Sequence, residues 1–400
     1  MMKALPSSPE GPKIAIIGAG PAGLTLNFPA GPVALQPDGG IAALKSCGIF
    51  EKMPTDFQGN KECVVADKYG QRKWNGNDIQ GDSRLFLRND ITCLISPVAV
   101  SPSADTPFYW MYKEGKRYGK AAKRRLALKG DFTEDFDIVV GADAIPGRVI
   151  RAGSEVADIL DTLLGHGTFY ASEYGKAIMI KRGFRDSILM HLMLLNRILD
   201  RRSGNILSPF HYEGALGRNA GPELLDRLLF SSDCFADWCD NIKVLIALGF
   251  VHEYNLNPYA ARPLYNFEPE FQWEHVPGIT LIGDAAHVIT YFTGDGVDLA
   301  MTDALELSQE LIIENEKPEP DYDLTLERFE KRMLERIPEK ARNAADVMLA
   351  MFDKEVPDAF VDVLKDLNPS AEGGSGAGAV ATSCIDGALG TMLRACLERT

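Results

Sequence analysis

The chain has 400 residues, 46% of them hydrophobic, which suffices for one large domain or for two that share a core. A formal net charge of −14 argues against nucleic acid as a partner, because that surface needs a basic face. No segment reaches the roughly 18 apolar residues that span a bilayer, so no membrane contact is expected. Seven scattered cysteines without a C-x-x-C pair favour a cytoplasmic protein with reduced thiols and no metal site.

The first informative segment is a short apolar strand, residues 14–17, that leads directly into a glycine motif. In the pattern G-x-G-x-x-G, the first glycine permits a tight turn and the second lets the backbone approach a pyrophosphate. The third glycine lets the following helix pack on the strand. A purely structural glycine turn is the alternative. The residues predicted to contact a dinucleotide are Gly18, Gly20, Ala22, Gly23 and Leu24.

The chain then departs from a dinucleotide fold, which continues with a helix, a second strand and an acidic residue about 20 positions on. Prolines and glycines crowd residues 27–40 and cut the predicted helix to about two turns. No second strand can be identified there. Asp38 stands near the expected distance, but its place between Pro37 and Gly39 favours a turn.

The next segments mix regular patterns with loops. Residues 40–53 have helical spacing, and residues 63–74 predict a hairpin around Lys68. Arg88 is a candidate phosphate contact, although a solvated arginine is an equal alternative. Residues 114–130 form a basic island, interpreted as a solvated loop or as a contact for the phosphates of a nicotinamide cofactor.

The central part begins with a buried strand, residues 138–140, that ends in Gly-Ala-Asp143. This ending presents a carboxylate at the carboxyl edge of a sheet, where ligands of open α/β sheets bind. Residues 168–196 alternate as strands do, and two amphipathic helices follow, at residues 224–230 and 242–248. We interpret this part as a second domain, a sheet laid over a cofactor.

The most specific stretch is GITLIGDAAHVITYFTGDGVDLAMTDALEL, residues 278–307. A predicted strand turns sharply at Gly283 and Asp284, and a second glycine pair, Gly294 and Gly296, opens a long helix at Val297. The start of such a helix suits an electron-rich ligand, and an aspartate at a strand end can accept hydrogen bonds from ligand hydroxyls. An ordinary strand–loop–helix crossover is the alternative.

No residue in this stretch is assigned as catalytic, and His287 is interpreted as structural. Further on, helical spacing runs from Asp323 to about Leu364, with Pro338 expected to kink or split the helix. The chain after residue 367 has the composition of a low-complexity tail.

Three segments in this order, KIAIIGAGPAGLTL, DIVVGADAIPGRV and the 278–307 stretch, resemble the FAD-dependent aromatic hydroxylases, which are single-component flavoprotein monooxygenases. The sequence is most similar to the tetracycline-destructase and salicylate-hydroxylase-like branch. The resemblance implies an α/β fold: a Rossmann-like FAD-binding domain (GR2 type), an inserted β-sheet substrate domain and a long C-terminal helix. The implied bounds are 11–150 and 277–320 for the FAD-binding domain, 151–276 for the substrate domain, 321–366 for the helix and 367–400 for the tail.

The resemblance also implies the chemistry: NAD(P)H reduces FAD, and O₂ then supplies one oxygen atom to a small aromatic or polyketide-like substrate. Gly18, Gly20 and Gly23 would face the FAD pyrophosphate, and Asp284 would hold the ribityl chain. The loop from Gly294 to Val297 would lie against the flavin ring. Asp143 would serve both FAD and nicotinamide functions. The implied protein is a monomer or homodimer.

Several positions depart from the family pattern. The second strand is missing, Thr92 replaces the flavin-phosphate arginine, and Ala144 replaces a glycine. Asp298 replaces an asparagine, and its carboxylate is expected near the ring, where it would disfavour reduction. These departures motivate an alternative function: a degenerate homologue that binds FAD weakly or not at all and acts as a non-redox catalyst or a binding protein. An NAD-dependent dehydrogenase is disfavoured because the Gly283–Asp284 segment has no role in it.

Overall fold

The fold comes from a computed structural model of the chain. The structure describes residues 12, 14–17, 32–53, 62–77, 84–87, 125–127, 133–135, 137–142, 150–151, 167–182, 187–194, 198–199, 206–207, 222–254 and 266–367. The strands in these ranges are β1 (Ile14–Ile17), β2 (Pro32–Leu35), β3 (Glu62–Ala66), β4 (Arg72–Asn77), β5 (Arg84–Leu87), β6 (Arg125–Ala127), β7 (Thr133–Asp135), β8 (Ile138–Gly141), β9 (Ile150–Arg151), β10 (Thr168–Glu173), β11 (Lys176–Arg182), β12 (Ser187–Leu194), β13 (Ile198–Leu199), β14 (Ile206–Leu207) and β15 (Ile279–Leu281). The helices are α1 (Gly40–Ser46), α2 (Pro222–Phe230), α3 (Asp240–Tyr254), α4 (Asp284–His287), α5 (Gly296–Asn315), α6 (Tyr322–Met351) and α7 (Asp358–Leu367).

A parallel sheet joins three strands that are far apart in the sequence, in the order β1-β8-β15. Its register places Ile17 beside Gly141 and Gly141 beside Leu281. Parallel strands run in the same direction, so the carboxyl ends of all three strands meet at one edge. The buried Ile138 and Val140 belong to the same apolar cluster as α6 residues such as Phe329. The fold is α/β, as predicted, and the three strands that precede the family motifs share one sheet.

A six-stranded mixed sheet has the order β4-β3-β10-β11-β12-β9. β3 pairs with β4 as the predicted hairpin and with β10 in parallel, so this sheet uses chain from both sides of residue 150. One face, which includes Phe169 and Ile180, packs against α2 and α3. The other face, which includes Tyr170 and Met179, packs against the end of α6 and α7. The sheet therefore lies between two helical layers.

The parallel sheet has an open edge at β1 within the described residues. β1 pairs there only with β8, and the side chain of Ile16 is 55% exposed. β2 pairs antiparallel with β5 and not with β1. A dinucleotide fold places its second strand beside the first. The prediction that residues 27–40 contain no strand is wrong, because β2 forms there, although β2 does not pair with β1 among the described residues. Asp38 lies in an exposed turn after β2.

Two predicted helices have different bounds in the structure. The helix predicted for residues 40–53 ends at Ser46, because Gly48 adopts a φ of 68° that terminates it. The C-terminal helix does not split at Pro338, which α6 contains without interruption. Proline removes one backbone hydrogen bond, but the buried Ile337 and Ala341 pack on either side of it. The break falls between Met351 and Asp358 instead.

Candidate active site

The turn after β15 is built around a glycine that no other residue replaces without strain. Gly283 has φ 59° and ψ −143°, a conformation that side chains with a Cβ rarely adopt. Its carbonyl accepts hydrogen bonds from the amides of Ala286 (2.8 Å) and His287 (2.9 Å), which close the short helix α4. Asp284 is the first residue of α4 and lies directly beyond the carboxyl edge of the parallel sheet. This is where an open α/β sheet binds its ligands.

A buried carboxylate on α5 holds this turn. Oδ2 of Asp303 accepts hydrogen bonds from the amide of Gly283 (2.9 Å) and from Nε2 of His287 (2.6 Å). Its Oδ1 pairs with the guanidinium of Arg336 on α6. Burial alone would raise the pKa of Asp303, but the hydrogen bond and charge of His287, together with Arg336, hold it below its ordinary value. Asp303 is therefore ionised, and it fixes the Gly283 turn, α4 and α6 relative to one another.

The second glycine loop opens α5. The amide of Gly294 donates to the carbonyl of Tyr291 (3.1 Å), and the φ of Gly294 is 73°. A Cβ built at Gly296 would meet no atom of the described residues within 4 Å, so no described side chain covers the start of α5 at this point. The first amides of a helix carry partial positive charge and lack partners within the helix. Gly296 and the partly buried Val297 thus form a helix start that fits an electron-rich ring.

Residues of α6 contact both glycine turns. Arg336 reaches Asp303 below the Gly283 turn. One turn further along, Nζ of Lys340 lies 3.2 Å from Oδ1 of Asp295 in the glycine loop. The hydroxyl of Thr290 donates to the carbonyl of Ala344 at 3.3 Å. One helix therefore positions both glycine turns relative to each other.

Asp298 makes contacts that its place in the sequence did not predict. Its Oδ1 accepts hydrogen bonds from the amides of Gln36 (2.7 Å) and Gly40 (2.8 Å), so its carboxylate holds the start of α1. The contact is tight, because a Cβ at Gly39 would lie 2.4 Å from Oδ2 of Asp298. The carboxylate is engaged with backbone amides on another element, and its effect on reduction of the ring stays a prediction.

Replacing Asp298 with asparagine is expected to raise the Tm at about pH 7.5 by on the order of 1–2 °C. Burial raises the pKa of Asp298, although the amides of Gln36 and Gly40 oppose this. With the folded-state pKa above the unfolded one, the ionised carboxylate lowers stability at neutral pH. That cost fades as the pH falls through the folded pKa towards the unfolded one, so the difference should shrink by about pH 4.5. Thermal unfolding at both pH values measures this, with the exposed Asp346→Asn as control. A lower Tm for Asp298→Asn at neutral pH would refute the argument.

The structure brings five of the predicted site residues together. Gly283 and Asp284 lie at the end of β15, and Gly294, Gly296 and Val297 lie at the start of α5, which Asp303 ties to the Gly283 turn. The other predicted site residues, together with Thr92 and Ala144, lie outside the described residues; they are Gly18, Gly20, Ala22, Gly23, Leu24, Arg88 and Asp143.

Sequence analysis did not single out Asp303 or Arg336. A signal was present for the first of them, because Asp303 falls between Ala300 and Leu307 on the apolar face of a helix. An acidic residue on such a face needs a partner. Arg336 carries no comparable signal among the other charges of α6. His287 is buried and bonded to Asp303, in agreement with a structural role. Within the described residues there is no cluster suited to a metal ion, and no helix is long and apolar enough to cross a membrane.

Comparisons with known proteins agree on one class. No family model matches the chain. It is 27% identical over 372 residues to the monooxygenase penA of Penicillium thymicola, an alignment that covers 75% of this chain and 84% of the relative. It is 24% identical over 377 residues to the monooxygenase asqM of Emericella nidulans, covering 75% of this chain and 83% of the relative.

Solved structures share the fold. The tetracycline destructase Tet(55) superposes with a TM-score of 0.59 at 15% identity, covering 90% of this chain and 98% of its own. HpxO of Klebsiella pneumoniae, crystallised with FAD and uric acid, gives 0.58 at 13% identity and covers 99% of both chains. FqzB gives 0.62 at 15% identity and covers 90% of both.

The parallel sheet, its two glycine turns and the mixed sheet define the fold of the FAD-binding monooxygenases. The chain is similar in sequence to two curated fungal monooxygenases and shares the fold of FAD-dependent aromatic monooxygenases, so the resemblance carried by its three motifs is confirmed.

Proposed function

We propose that the protein is an FAD-dependent monooxygenase that uses NAD(P)H and O₂ to oxygenate a small aromatic or polyketide-like molecule. The observation that carries this function is the pair of glycine turns, at Gly283 and Gly294, fixed by the same helix and lying beside one sheet edge. A turn that carries the carboxylate of Asp284 near the start of a helix is suited to a ligand with hydroxyls on one part and an electron-rich ring on another.

The residues fit FAD in the following way. Asp284 would accept hydrogen bonds from the ribityl hydroxyls, and the amides at the start of α5 would face the flavin ring. Gly18, Gly20, Ala22, Gly23 and Leu24 would hold the pyrophosphate and its adjoining groups, with Arg88 and Asp143 as further contacts. FAD supplies the redox chemistry when bound, and the protein orients it and keeps water away from the reacting atoms.

The relatives and neighbours support a small planar substrate. Their names include monooxygenases, tetracycline destructases and a protein bound to uric acid. We infer the domain bounds given above, except that β3 and β4 belong to the sheet of the substrate domain. We also infer a monomer or homodimer and a cytoplasmic location. The cytoplasmic location is supported by the absence of disulfides among the described cysteines, which are Cys47, Cys63, Cys234 and Cys239.

A second candidate function is favoured by the open edge of β1. Because the described part of the chain places no second strand beside β1, FAD would have fewer contacts for its adenosine end than the family pattern provides. A homologue that binds FAD weakly or not at all, and that acts as a non-redox catalyst or a binding protein, would have such an edge.

The visible spectrum of the purified protein separates the two functions. We expect a yellow protein with flavin bands, and we expect O₂ consumption when NADPH is added under air with an aromatic substrate. The matched control is NADPH added to free FAD at the same concentration. A colourless protein that takes up no flavin on incubation with FAD would favour the second candidate.

A further inference from the structure

A lysine of α6 pairs with the carboxylate that lies between the two glycines of the second glycine loop. Nζ of Lys340 is 3.2 Å from Oδ1 of Asp295, and the two side chains are 43% and 14% exposed, respectively. Asp295 directly precedes Gly296, the first residue of α5. The ion pair therefore joins α6 to the start of the helix that the proposed function places against the flavin ring.

The carboxylate of Asp295 does not cap the helix that follows it. An aspartate before a helix usually accepts a hydrogen bond through its side chain from one of the first helix amides. Asp295 makes no such bond with the residues that the structure describes, and only its backbone carbonyl accepts from α5, from the amide of Leu299 at 2.9 Å. Its carboxylate accepts a hydrogen bond from Lys340 instead. The side chain of Asp295 thus leaves the first amides of α5 available to another group.

The other charges beside this helix start are negative. Burial raises the pKa of Asp298 in the first turn of α5, and the negative charges of Asp295 and Asp38 add to that rise. Asp298 is bonded to backbone amides and not to a cation. Within the described ranges, Lys340 is the only lysine or arginine that pairs with any of these three carboxylates. Without it, their charges would offset the partial positive charge of the helix amides.

We propose that Lys340 is a positioning residue for the flavin chemistry, because its ion pair holds the Asp295 carboxylate away from the α5 amides and balances its charge. This inference rests on the proposed function, in which those amides face the flavin ring. When NAD(P)H passes a hydride to bound FAD, the flavin gains one negative charge and the nicotinamide is left oxidised as NAD(P)⁺. A helix start that remains positive stabilises this charge. Lys340 therefore favours reduction of the flavin by acting through Asp295.

The test is the midpoint potential of the bound flavin, measured by reductive titration of the FAD-loaded protein beside a redox dye. Lys340→Met leaves the charge of Asp295 unopposed. We expect the ratio of reduced to oxidised flavin at a fixed potential to fall about tenfold, which is about 30 mV for a two-electron couple. Asp295→Ala leaves the lysine unopposed and should raise the ratio by a similar factor. The double variant should return close to the wild-type potential.

Two controls separate charge from structure. Lys340→Arg keeps the positive charge and should keep the wild-type potential. Lys331→Met removes an exposed lysine from an earlier part of α6 and should also leave the potential unchanged. The opposite signs expected for Lys340→Met and Asp295→Ala are informative, because damage to the flavin site would shift both potentials in the same direction.

Unchanged potentials in both single variants would overturn the inference, and so would shifts of the same sign. A loss in Lys340→Arg as large as that in Lys340→Met would also overturn it. The rise expected for Asp295→Ala keeps the test valid if Lys340→Met does not fold. A colourless wild type counts against the proposed function, whereas a yellow wild type whose variants share its potential counts against this inference alone.

Discussion

Replacing Asp303 with alanine is expected to lower the free energy of unfolding by about 3–5 kcal/mol, the usual cost of removing one partner of a buried ion pair. The side chain is fully buried and bonds the amide of Gly283, His287 and Arg336. The substitution leaves a partly buried guanidinium without one of its two carboxylate partners, the other being Glu306. Urea denaturation followed by circular dichroism measures the change.

Two further variants identify the cause. The exposed Gln309→Ala on the same helix should cost little, because its side chain lies in water. The double variant Asp303→Ala/Arg336→Ala should lose less than the sum of the single losses, because the guanidinium that Asp303→Ala deprives of a partner is then also removed. Strict additivity of the two losses would show that the ion pair is not the source of the stability.

Replacing Asp284 with alanine is expected to weaken FAD binding by about ten- to a hundredfold, the effect of losing hydrogen bonds to a charged acceptor. Asp284 is placed for this role by its position after the Gly283 turn, at the carboxyl edge of the parallel sheet. Asp284→Asn keeps one acceptor oxygen and should lose less. Titration of flavin-free protein with FAD, followed by flavin fluorescence, gives the dissociation constants.

The matched control for this experiment is Asp346→Ala, which removes an exposed carboxylate from α6, away from both glycine turns. It should bind FAD as the wild type does. If Asp284→Ala retained FAD equally well, the assigned contact with the ribityl chain would be refuted, even if the protein were yellow.

Local backbone requirements explain what the sequence could predict. Gly283 and Gly294 both adopt positive φ angles, and a glycine between an apolar strand and a helix signals such a turn directly. The strands at 14–17, 138–141 and 279–281 were equally clear from their apolar, β-branched composition. These turns and strands depend on residues that are neighbours in the sequence, so sequence patterns could predict them.

Contacts between distant segments of the chain explain what the sequence could not predict. β3 pairs with β10 across about a hundred residues, and an alternating pattern identifies a strand without naming its partner. The bonds from Asp298 to Gln36 and from Asp303 to Arg336 also join distant segments. The expectation for Asp298 was therefore inferred from its neighbours in sequence, which do not indicate its bonds to Gln36 and Gly40.

The single helix behind both glycine turns makes them one cooperative unit. α6 contacts one turn through Arg336 and the other through Lys340 and Ala344, within three turns of helix. A fluctuation that locally unfolds this part of α6 releases both glycine turns together. The backbone amides of the two turns should therefore exchange hydrogen with solvent at a common rate. One local unfolding event would then disrupt both glycine turns of the site. A bound molecule that contacts both turns would suppress this unfolding.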